Sequence, residues 1–160
     1  MKKLISVIML LGILFLAGCN TNKSIQGIDL PFEESEIQQI ALVYYTGDPS
    51  DARQKIVTGS EDIQYIYNMF SNEIHLETNS RNLSDPSDTL RIRIGLKDGH
   101  GFSMQYEGFG VKEGLLSSSD GDFAYFTPTD VAWLWDQLTA EYEASPISLA
   151  PSGATESPVK

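Results

Sequence analysis

Residues Thr89 to Leu96 alternate, with Leu90, Ile92, Ile94 and Leu96 on one parity and Arg91 and Arg93 on the other. A period of two belongs to an extended chain with one dry face and one wet face. Asp98-Gly99 follows as a turn pair, and Phe102, Met104 and Tyr106 carry the apolar parity back along a second strand. The chain is therefore committed to an antiparallel hairpin whose apolar face needs a covering layer.

The flanking sequence extends this sheet. Ile37 to Thr46 carries Ile40, Leu42 and Tyr44 on one face and Ala41, Val43 and Tyr45 on the other, as a central strand would. Gly47-Asp48-Pro49-Ser50-Asp51 reads as a turn, and Arg53 to Thr58 as a short second strand. Val111 to Leu116 and Phe123 to Phe126 read as further strands, separated by the turn 118–122. His75 to Asp88 is polar, with Asn79, Asn82 and Pro86, and reads as loop with at most a short strand near 76–78.

Two segments have helical spacing. Ile63, Ile66, Tyr67, Phe70 and Ile74 predict a first helix over about 61–74, started by Ser60 as cap or by a Thr58–Glu61 capping box. Thr127-Pro128-Thr129-Asp130 is a helix start, and Val131, Leu134, Trp135, Leu138 and Tyr142 predict a second helix ending near Tyr142. The expected fold class is α+β: a curved antiparallel sheet of about five or six strands with two amphipathic helices packed on one face.

The N-terminus reads as an export signal. Lys2 and Lys3 precede an apolar run from Leu4 to Leu16, shorter than the roughly 20 residues that a bilayer span takes. The run ends in Leu16-Ala17-Gly18-Cys19, which resembles the lipobox of bacterial lipoproteins. The resemblance implies cleavage after Gly18 and a diacylglycerol-modified Cys19 as the new first residue. Cys19 is the only cysteine, so no disulfide forms within the chain. Two acyl chains give stable anchoring, each buried CH₂ contributing about 0.8 kcal/mol.

The expected organisation is a signal peptide over 1–18, a lipidated Cys19 with tether linker over 19–27, one domain over 28–142 and a disordered tail over 143–160. The tail is rich in Pro, Ser, Ala and Gly. Acidic residues number 22 against 11 basic ones, a net charge of −11. Such a body repels nucleic-acid phosphates and stands off an anionic membrane surface.

The polar constellations each have a plain structural explanation. Asp-Pro-Ser-Asp occurs at 48–51 and again at 85–88, and Ser118 to Asp122 is also rich in oxygen. Converging, these loops would offer Ca²⁺ its oxygens, but each is also what a hydrogen-bonded turn requires. His75 and His100 lie far apart in sequence, with no cysteine in the body to complete a zinc set. No Gly-x-Ser-x-Gly elbow or phosphate loop occurs, and Gly108-Phe109-Gly110 opens no helix. Glu33, Glu34 and Glu36 read as a solvated run. No cofactor and no metal is expected, and the chain reads as a non-enzyme.

Trp133 and Tyr65 resist this account. Each falls off the apolar face of its predicted helix. Exposed, they mark a contact surface for another protein, since aromatics are enriched at interface hot spots. Otherwise Ile28 to Phe32 or the 75–88 loop covers them.

The chain resembles the small lipoproteins and secreted single-domain proteins of Gram-positive bacteria. The resemblance rests on Leu16–Cys19, the Ile28-Asp29-Leu30-Pro31 entry, the strand at 37–46, and Ile56-Val57-Thr58 leading into a helix. The loop Ser80 to Pro86 before an alternating hairpin completes it. It implies a location, lipid-anchored on the extracytoplasmic face of the cell membrane, and a fold, but no activity and no site residues. The expectation is a non-catalytic protein-interaction domain with an envelope protein as partner. The alternatives are a small-ligand or divalent-cation binder through its acidic loops and, further off, an envelope hydrolase.

Overall fold

The computed structural model describes residues 24–78, 85–110, 113–140 and 142–144. The predicted signal peptide, Cys19, the linker up to residue 23 and the tail from residue 145 lie outside the described residues, as does most of the loop Ser80 to Pro86.

Among the described residues nine strands form one open sheet: β1 (Ser24–Gln26), β2 (Ile37–Tyr45), β3 (Arg53–Val57), β4 (His75–Glu77), β5 (Asp88–Leu96), β6 (Gly101–Gly108), β7 (Gly114–Ser118), β8 (Ala124–Thr127) and β9 (Tyr142–Ala144). Their order is β1-β4-β8-β7-β6-β5-β2-β3-β9, and every pairing is antiparallel. The helices are α1 (Ser60–Asn68), prolonged by a π turn over Met69–Glu73, and the single turn α2 (Leu134–Gln137). Among the described residues no helix is long and apolar enough to cross a membrane.

This corrects the expectation of five or six strands beneath two helices. The sheet is larger because its edges come from three-residue strands, too short to show a period of their own. β1 pairs with β4, and β9 pairs with β3. β1 comes from the expected tether. β9 comes from the expected helix end at Tyr142 and the first two residues of the expected disordered tail, which pair with Arg53 and Gln54 instead. Pairing β9 with Arg53–Lys55 covers part of an edge that would otherwise present open backbone groups.

The hairpin behaves as the alternation requires. Ile40, Ile94 and Phe102 lie in one cross-strand row, Leu42, Ile92 and Met104 in the next. Tyr44, Leu90, Tyr106, Leu116 and Tyr125 form a third, spanning five strands. These rows make the inner face, and most of their side chains are fully buried. Burying each Leu or Ile contributes about 1.5–3 kcal/mol.

A layer of helix and loop covers that face. α1 contributes Ile63 and Ile66, the π turn Met69 and Phe70, and the segment after β8 contributes Val131, Leu134, Trp135 and Leu138 to the same core. The helix starts at Gly59 with no side-chain cap, so neither Ser60 nor the Thr58–Glu61 box is used as expected. At its other end Ile74 N–H donates to the Met69 carbonyl at 2.9 Å, one residue further back than in an α-helix. That slip frees the Phe70 carbonyl, which accepts from Ile28 N–H at 2.8 Å. Gly27 N–H donates to Ile74 O at 2.9 Å beside it. Gly27 has φ +75°, and a Cβ there would run into the Ser71 carbonyl, so only glycine lets the entry segment lie this close.

The second predicted helix is corrected at both ends: Thr127 closes β8, 128–133 are bends and turns, and only Leu134–Gln137 is helical. Thr127 Oγ1 accepts from Thr129 N–H at 3.0 Å, and Asp130 Oδ1 from Ala132 N–H at 3.1 Å. After Gln137 the chain turns extended, with Leu138 at φ −84° and ψ 131°. The reason is tertiary: Lys55, on the inner face of β3, takes the carbonyls that a longer helix would use internally.

Candidate functional site

Lys55 is opposite Leu42 in the β2–β3 register and is buried. Its ammonium donates to Trp135 O at 2.6 Å and to Leu138 O at 2.8 Å, and lies 4.8 Å from the Trp135 ring centroid. A cation at the end of a short helix meets the carbonyls that helix leaves open. Tyr44 stacks on the same indole at 5.6 Å. Desolvation, followed by the charges of Asp88, Asp136 and Asp130, pushes the Tyr44 hydroxyl above its usual range. The sequence signal for Lys55 was parity: Val57 inward forces Lys55 inward and leaves Ile56 outside, where it is 40% exposed.

This pinned segment sets the position of Trp133. It precedes α2, half-buried against the core, with its ring 6.2 Å from that of Tyr65 in an edge-to-face arrangement at 72°. Tyr65 projects from α1 away from Ile63 and Ile66 and is 41% exposed. Desolvation and then the charge of Glu73 raise its hydroxyl pKa. The two aromatics singled out by the sequence thus form one surface pair. The segment Ile28 to Phe32 does not pair with it through its aromatic ring. Phe32 packs 5.5 Å from Phe102 and 6.4 Å from Tyr67 instead.

The oxygen-rich loops are occupied with their own backbones. Asp48 Oδ1 accepts from Ser50 N–H at 2.8 Å, a bond that holds its carboxyl below the usual range. Ser87 Oγ donates to Asp88 Oδ1 at 2.7 Å, and Ser87 N–H to Gly108 O at 2.8 Å. Gly108 has no Cβ because the Asp88 carboxylate occupies that space. In the third loop Ser118 Oγ accepts from Phe123 N–H at 3.1 Å, and Ser118 also lowers the pKa of Asp120 by hydrogen bonding. Among the described residues no group of three or more His, Cys, Asp or Glu is placed to hold a metal ion. His75 on β4 and His100 in the β5–β6 turn are both exposed.

A feature that sequence reading missed is a cleft of about 310 Å³ beside β1, lined by Ile25, Gly27, Ile28, Asp29, Asp122, Phe123 and Tyr125. Ile25 and Gly27 read as linker, and Asp122 and Phe123 to Phe126 as a turn and a last strand, with nothing to bring the two together. Comparison of the chain with family models, with curated proteins and with solved structures found no match.

Proposed function

We propose that this is a lipid-anchored, non-catalytic domain of the cell envelope that acts by contacting another protein, with Tyr65 and Trp133 at the centre of the contact. The observation that carries it is the edge-to-face pair of an exposed Tyr65 and a half-buried Trp133 on the helical layer. Trp and Tyr bring large rigid area at low entropic cost, and they dominate interface energetics for that reason. The anchor is proposed from Leu16-Ala17-Gly18-Cys19 and the apolar run before it. The non-catalytic reading rests on a sequence that offers no nucleophile elbow and no phosphate loop.

In-cell crosslinking of the lipidated protein, followed by mass spectrometry, tests the contact. One dominant envelope protein is expected, and it is lost in the Tyr65→Ala and Trp133→Ala variants while the Tyr65 variant stays folded, its melting temperature lower by only about 4–8 °C. A capture that is unchanged in both variants contradicts it. The Cys19→Ser variant tests the anchor and should move the protein out of the membrane fraction.

A further inference from the structure

We propose that the cleft beside β1 is a binding site for small organic ammonium ions, of the kind that carry an apolar body on a charged nitrogen. The site is separate from the Tyr65–Trp133 surface and is carried by different observations.

The floor of the cleft belongs to the inner face of the sheet. Tyr125 is opposite Leu116, and Ile25 is opposite Leu76, both of which are fully buried core residues. Ile25, Phe123 and Tyr125 are themselves only partly buried and pack against that core. Apolar surface is thus left open at this end of the sheet, whereas Leu42, Ile92 and Met104 at its middle are fully buried. The volume is at the lower end of small-ligand sites, which run from about 300 Å³ upward.

Its chemistry is one-sided. Phe123 and Tyr125 stack on each other at 5.6 Å and 13°, so two aromatic rings line one side of the cleft. Asp29 and Asp122 are exposed at the rim, and none of the lining residues is basic. Aromatic faces attract cations through the ring quadrupole, and carboxylates add charge-assisted contacts. An anion finds nothing to meet here, and a bare metal ion has no use for the aromatic wall.

Both walls are fixed in advance. Gly27 and Ile28 are hydrogen-bonded to Ile74 and Phe70, which places Asp29 next to a rigid stretch. On the other side Ser118 N–H donates to Phe123 O at 3.0 Å, and Phe123 N–H returns to Ser118 Oγ. A preformed site loses less entropy on binding.

The test is a titration of the full-length protein, in detergent, with choline, followed by backbone amide NMR. Its neutral isostere 3,3-dimethylbutan-1-ol is run in parallel. The expected result is saturable shifts at Gly27, Asp122 and Phe123, with the isostere about tenfold weaker or more. In the Asp29→Asn/Asp122→Asn variant, choline binding should weaken by about tenfold or more. Both changes are at exposed positions, and the amide spectrum of the variant reports directly whether it is folded. Absence of saturable shifts at the cleft overturns the proposal. So does an isostere that binds as well as choline, which decides the matter without any variant.

Discussion

The Lys55 ammonium is held 2.6 Å from the Trp135 carbonyl oxygen and 4.8 Å from the centre of the same residue's indole. One side chain thus ends α2, orients the indole on which Tyr44 stacks, and fixes the segment that carries Trp133. Lys55→Met keeps most of the buried stem but leaves the Trp135 and Leu138 carbonyls without their donor. The variant should lose at least about 1–3 kcal/mol of unfolding free energy, the cost of leaving one buried polar group unsatisfied. Urea denaturation measures it, and an unchanged midpoint would show that the lysine is dispensable.

The Tyr65–Trp133 pair should be energetically coupled as well as adjacent. Edge-to-face aromatic pairs contribute about 0.5–1.5 kcal/mol beyond their burial. A double-mutant cycle with Tyr65→Ala and Trp133→Ala should return a coupling in that range. Tyr65→Ala alone should cost less than Trp133→Ala, because Tyr65 is the more exposed of the two. Zero coupling would separate the two rings.

Glycine substitutions should rank by what surrounds them. Gly27→Ala forces a Cβ into the Ser71 backbone at positive φ, whereas Gly47, also at positive φ, has open space around it. Gly47→Ala should cost about 1–2 kcal/mol of conformational strain. Gly27→Ala should cost clearly more and should loosen Ile28 from the π turn. Thermal denaturation of the two variants side by side gives the order.

Alkali should weaken the fold through Tyr106. Desolvation first, then the charges of Asp130 and Asp88, raise its hydroxyl pKa well above the ordinary 10.0, against a lowering hydrogen bond from the Val131 backbone. The folded state therefore holds this proton more tightly than the unfolded chain does. The stabilisation is fully present below about pH 10, the unfolded value, and is lost as pH rises through the higher folded value. Tyr106→Phe removes that dependence. The gap in melting temperature between wild type and variant should narrow as pH rises above 10, and a constant gap would exclude Tyr106 as the source.

What the sequence reveals follows from how the information is stored. The β5–β6 hairpin was legible because Leu90, Ile92 and Ile94 repeat on a single parity over a long strand. α1 was legible because Ile63, Ile66 and Phe70 repeat at helical spacing. The second helix misled because Val131, Leu134, Trp135 and Leu138 also keep that spacing, while the group that stops the helix, Lys55, lies far away in sequence. Local pattern carries no trace of such a contact. β1 and β9 are held by their partners alone. The Tyr65–Trp133 pair was readable as two residues off their apolar faces, but that their rings meet depends on how Lys55 places the chain before α2. The cleft was invisible because it joins Ile25, which looked like tether, to Tyr125 on the far side of β4.

In the function proposed above, the exposed face around Tyr65 meets a specific envelope protein. The most direct measurement places a photo-crosslinking amino acid at position 65 of the full-length protein in living cells and, as a control, at the exposed Arg93 on the opposite face of the sheet. One partner captured from position 65, absent from position 93 and lost when Trp133→Ala is added, is the predicted result. Capture of the same proteins from both positions, or of none from position 65, would contradict it.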